Sequence, residues 1–147
     1  MNTSSRVSSS RPYGESVMTR RLFIATAAIE AATSVALVIA PAIVVRMLLG
    51  ASLDADGDVV IARIAGAALF SLAIVCWTAR SDGHSTISRG LLCALLFYNL
   101  AIVLLLMHAN LGEHLAALGL WPAVGLHAAF SLWCIVNLRK PASGVPN

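Results

Sequence analysis

Charge is scarce in this chain of 147 residues: 7 Asp and Glu plus 10 Lys and Arg make up 12% of it. An ordinary soluble domain carries about 25% charged residues, and a mean hydropathy of +0.83 departs in the same direction. The shortage excludes a wholly water-facing surface. Cys76, Cys93 and Cys134 form no C-x-x-C pair, so neither a zinc nor a dithiol spacing is present and they read as small packing residues. The histidines show no H-x-x-x-H spacing, and there is no phosphate-binding glycine loop and no Ser-His-acid pattern. Asp54, Asp56 and Asp58 open like a calcium loop, but Val59 stands where glycine is needed and Ala65 where a bidentate glutamate is needed. The expectation is a protein that is not an enzyme and has neither a metal nor a cofactor.

Long apolar runs are what the chain has instead. Four can be read, at approximately 22–48, 59–79, 90–108 and 115–138. Each approaches or exceeds the roughly 20 residues that cross a bilayer of about 30 Å as a helix. The fold expectation is therefore all-α, a bundle of four transmembrane helices over residues 21–140. A Ser- and Arg-rich disordered cytoplasmic tail at 1–20 precedes it, and a flexible tail at 141–147 follows. The run after Arg21 is too long for the apolar region of a signal peptide and lacks a small-residue cleavage site, so it should stay attached.

Orientation follows from the basic residues. Arg6, Arg11, Arg20, Arg21, Arg80, Arg89, Arg139 and Lys140 fall on one side of the four spans, while Arg46, Arg63 and the acids Asp54, Asp56, Asp58 and Glu113 fall on the other. Basic residues in short loops favour the cytoplasm, which puts both termini there; the expectation is a multi-pass protein of the cell inner membrane. Because the basic residues flank apolar runs, the partner implied by a net charge of +3 is the lipid bilayer and not nucleic acid.

Pro41 has no amide proton and should kink or end the first helix, leaving residues 42–50 along the outer interface. The stretch 111–138 has two readings: one long helix, or a short interfacial helix at 111–118 followed by a span from Trp121 with Pro122 in its first turn. The second is preferred because proline is favoured there.

The most informative residue is Glu30, the only acid between Leu22 and Leu49. At 1.5 Å per residue it lies roughly 12 Å into helix 1, near the bilayer midplane. An ionised acid costs at least about 2.5 kcal/mol there unless a partner or water receives it. The same counting puts Ser71, Tyr98, Asn99 and His127 in one slab with Glu30, at about 12 to 16 Å from the cytoplasmic ends of their helices. Thr26, Thr33 and Ser34 share the face of Glu30, and Ser131 follows His127 by one turn. These groups either tie helices together or form a ligand or proton site. Arg63 sits about 12 Å above Glu30 by this count, so the expectation is that it snorkels outward as a structural charge and does not pair with Glu30.

With its acid in helix 1 and the segment RIAGAALFSLAIVCWTAR in helix 2, the layout resembles small bacterial four-helix membrane proteins of DoxX-like architecture, a likeness of overall plan that assigns no site residue. The segment Ala28-Ile29-Glu30-Ala31-Ala32-Thr33 is similar to helix 1 of the small multidrug resistance exporters. That likeness implies a membrane-embedded glutamate exchanging protons for a cationic drug. The first expectation is a non-enzymatic protein that binds a small hydrophobic or lipid-like ligand, or supports a membrane partner or homo-oligomer, with Glu30 and His127 central. The alternative is a proton-coupled exporter using Glu30.

Overall fold

The computed structural model describes residues 13–82, 85–115 and 117–139. They form five α-helices: α1 Tyr13–Ile39, α2 Pro41–Leu49, α3 Asp56–Ala79, α4 Thr86–Leu111 and α5 Leu120–Leu138. Among the described residues there is no strand. Four stretches are long and apolar enough to cross a membrane: Val17–Ile39, Asp56–Ala79, Thr86–Leu111 and Leu120–Leu138. Large apolar side chains face outward along them, including Ile39, Ile61, Phe97 and Leu104, as expected where the surrounding solvent is lipid.

The fifth helix arises at Pro41. The Ala40 amide still donates to Ala36 O at 2.8 Å, but Pro41 has no proton for the next carbonyl, and the chain turns through Ala40 at φ −135°. Pro41 then occupies the first turn of α2, where its missing donor costs nothing. Gly50 ends α2 with φ 73°, a left-handed conformation that residues with a β-carbon seldom adopt.

At the other helix ends, side chains receive the orphan amides. Asp58 accepts from the Ala55 amide at 3.3 Å, and Asp56 and Asp58 lie in the first turn of α3, where negative charge complements the helix dipole. Ser52 Oγ donates to Asp54. The acidic loop therefore has a structural use. Ser85 caps α4 by accepting from the Ser88 amide at 3.1 Å.

Two expectations need correction. Residues 13–20 of the expected tail are the first turns of α1, because Thr19 is buried and its hydroxyl donates to Asn137 Oδ1 on α5 at 3.0 Å. Residues 1–12 and 141–147 lie outside the described residues. Among the described residues of 111–118 the interfacial helix does not form either. The chain after α4 folds back on that helix's own end: Gly112 donates to His108 O, Leu115 N donates to Ala109 O, and Asn110 Nδ2 donates to Leu115 O. The span that follows starts at Leu120, and Pro122 lies in its first turn.

Helix α1 packs chiefly on α3 and α4 on α5, and α1 also meets α5. Small residues allow the first pairing. Ala62, Gly66, Ala73, Cys76 and Ala79 form the buried stripe of α3, and a β-carbon on Gly66 would lie 3.1 Å from Ser34 O. In lipid, where apolar surface gains little by leaving the solvent, such close approach is the main source of attraction between helices. Leu22, Phe23, Ala27, Cys76, Ala79, Leu92, Leu95, Phe130 and Cys134 join the four spanning helices in one core. That core lies toward the end of the bundle that holds the start of α1 and the end of α5.

Candidate functional site

The opposite half is less filled. A cavity of about 300 Å³ opens between α1, α2, α4 and the start of α5. Helix α1 contributes Ile29, Glu30 and Thr33 to it, and α2 contributes Val44, Met47 and Leu48. Tyr98 comes from α4, while Gly119, Ala123, Leu126 and His127 come from α5 and the residue before it. Its volume is at the lower end of the range of about 300–1,000 Å³ typical of small-molecule pockets.

The break at Pro41 shapes this space. It frees α2 to lie against the start of α5, and the two are joined backbone to backbone: Gly119 N donates to Met47 O at 2.9 Å. A β-carbon on Gly119 would stand 2.7 Å from that oxygen, so this approach requires glycine.

Three polar residues on three helices meet at one wall. Glu30 is 5% exposed, and Tyr98 Oη donates to its Oε2 at 3.3 Å. The Tyr98 ring lies edge-on to His127, with centroids 5.7 Å apart. His127 Nδ1 is 2.7 Å from Asn99 Oδ1, and Asn99 Nδ2 donates to Leu95 O, one turn back on its own helix, at 2.7 Å. Ser131 Oγ donates to His127 O. Glu30, Tyr98, Asn99 and His127 thus form one cluster; Asn99 stands behind His127 and does not line the cavity.

Ser71 stays apart. Its hydroxyl donates to Ala67 O within α3 and the residue is exposed, because the face of α3 toward α1 is the small-residue stripe and Ser71 lies off it. Arg63 is exposed and makes no ion pair among the described residues; Glu30 does not reach it. Thr33 borders the cavity, Ser34 lies under Gly66, and the Thr26 hydroxyl is buried without a partner among the described residues.

The sequence reading missed the contribution of α2 and Gly119, whose only signals were Pro41 and a glycine ahead of Trp121 and Pro122. It also missed the polar contact between Thr19 and Asn137, since Thr19 falls in the stretch expected as a disordered tail.

Chemically, the site pairs an apolar pocket with a carboxyl, a phenol and an imidazole, and its lining contains neither Lys nor Arg. No protein-family model, curated protein or solved structure matches the chain, so the site is read from its own geometry.

Proposed function

We propose that this multi-pass protein lies in a bacterial inner membrane with both termini cytoplasmic and, without acting as an enzyme, binds a small hydrophobic or lipid-like ligand in the cavity beside Glu30. One observation carries the reading. A midplane acid is expensive in a bilayer, and here it is held at the wall of an otherwise apolar space with Tyr98 and His127 beside it and no Lys or Arg in the lining. A carboxyl retained only to join helices would gain more from a close neighbour on a packed face than from a position next to open volume. The apolar walls suit an acyl or aromatic body, and the polar groups would orient its head.

The test is native mass spectrometry of protein released gently from the membrane. Wild type should carry a small-molecule adduct, and Ala123→Trp, which fills the cavity, should remain folded and lose it. An adduct of equal occupancy in Ala123→Trp would place the bound molecule elsewhere, and a wild type free of adduct after incubation with short-chain amphiphiles would refute the reading.

The lack of a cation near Glu30 also favours a second reading, export coupled to protons, because a proton or a cationic substrate could compensate the carboxylate in turn. Flux of a lipophilic cation in proteoliposomes that follows an imposed proton gradient would establish transport. Binding without flux would leave the first reading standing.

A further inference from the structure

The cavity's hydrogen-bonding pattern is one-sided, and Asn99 is the reason. Leu95 O can only accept a hydrogen bond, so the amide group 2.7 Å from it must be the Asn99 NH₂, and Asn99 Oδ1 is left facing His127. That oxygen is also only an acceptor. His127 Nδ1, 2.7 Å away, must therefore carry the proton, and in a neutral imidazole Nε2 is then a bare acceptor. No hydrogen bond to Nε2 is formed among the described residues, and His127 borders the cavity.

The remaining polar groups add to this bias. The Tyr98 proton is committed to Glu30 Oε2, and the Gly119 amide to Met47 O. Glu30, ionised or protonated, keeps at least one accepting oxygen. With Glu30 ionised, the Thr33 hydroxyl is the one side-chain donor in the lining not already directed to a neighbour, and no Lys or Arg is present to receive an anion.

Resting on the reading that the cavity holds a small amphiphile, we propose that its ligand has a head that donates hydrogen bonds, an alcohol or an amine, and that acceptor-only and anionic heads are rejected. Asn99 is the positioning residue for this choice, acting through the tautomer of His127. An acceptor-only head would leave His127 Nε2 and Glu30 unpaired in a desolvated site. One such buried acceptor costs enough to weaken binding about tenfold.

The experiment uses the full chain in lipid nanodiscs with nitrogen-labelled histidine, the His127 signal being assigned by its loss in His127→Phe. The probes are octanol, octylamine, octyl methyl ether and octanoate. Wild type should show His127 protonated on Nδ1. Octanol and octylamine should move its Nε2 resonance, with the ether and octanoate binding about tenfold more weakly or not at all. Asn99→Leu should introduce the Nε2-protonated form and reduce the preference for octanol over the ether.

A wild-type His127 protonated on Nε2, or on both nitrogens, would overturn the proposal. So would equal shifts with octanol and the ether or octanoate, an outcome that leaves the cavity as a binding site but removes its head-group selectivity. No His127 shift with any probe would overturn the binding reading as well. Retention of the Nδ1 proton and of selectivity in Asn99→Leu would remove Asn99 from its role; should that variant fail to fold, the wild-type spectrum alone decides the tautomer.

Discussion

Asn137 and Asn99 are held in the same way at two levels of the bundle, and they serve different neighbours. Each donates its amide to the carbonyl four residues earlier, Trp133 O for Asn137 and Leu95 O for Asn99, and so turns its oxygen toward a second helix. Asn137 presents that oxygen to Thr19, in the half of the molecule that holds the buried core of Leu22, Phe23, Leu95 and Cys134. Asn99 presents it to His127, which borders open volume. A single local device thus closes one end of the bundle and orients a site toward the other. Polarity inside a membrane helix does not by itself reveal function; whether space lies next to it does.

The comparison is broken most readily by truncation. Leu95 is fully buried in the shared core, so Leu95→Ala should lower unfolding stability by about 2 kcal/mol, the low end of the soluble range because lipid already solvates apolar surface. Leu126→Ala on the cavity wall should cost less than about 0.5 kcal/mol, since it enlarges a space already present. Equal losses in chemical denaturation would show that the two halves are packed alike.

Gly119→Ala comes next. Its new methyl would stand 2.7 Å from Met47 O, so α2 must shift, at about 1–3 kcal/mol. Thermal melts with and without octanol should show a weakened ligand response, because α2 walls the cavity. A variant as stable as wild type would mean that the contact between α2 and α5 yields easily.

A smaller effect is expected from the double-mutant cycle of Thr19→Val with Asn137→Leu, with a coupling of about 0.6 kcal/mol and no change in ligand binding. A coupling near zero would make that contact incidental. Least of all, Ser71→Ala and Arg63→Lys should each stay within about 0.5 kcal/mol of wild type, since both residues are exposed and neither touches the cluster. Loss of folded Arg63→Lys, rescued by Glu30→Gln, would instead reveal an ion pair between Arg63 and Glu30.

Much of the architecture was legible because hydropathy counts residues along an axis, and length is what a bilayer selects. Four spans emerged, and Pro41 marked the break after α1. Depth was legible for the same reason: counting at 1.5 Å per residue put Glu30, Tyr98, Asn99 and His127 at one level. Angle was not. Between Arg63 and Thr78, helix α3 carries apolar residues on every face with Ser71 the one polar side chain, so no periodicity distinguished its small-residue stripe from the face that bears Ser71. The turn-like ANLG after His108 marked the end of α4, but not the way backbone amides and the Asn110 side chain close it. The folded-back α2 was invisible as part of a site because its role depends on one backbone hydrogen bond to Gly119.

The central claim, that Glu30 belongs to a binding site and is not chiefly a helix fastener, is tested most directly by the thermal stability of wild type and Glu30→Gln, each with and without octanol. An amide preserves the size of the side chain and can still accept from Tyr98, so Glu30→Gln should melt at the wild-type temperature or above it while the octanol-induced rise is lost. An equal rise in both proteins would contradict the account and remove Glu30 from the site.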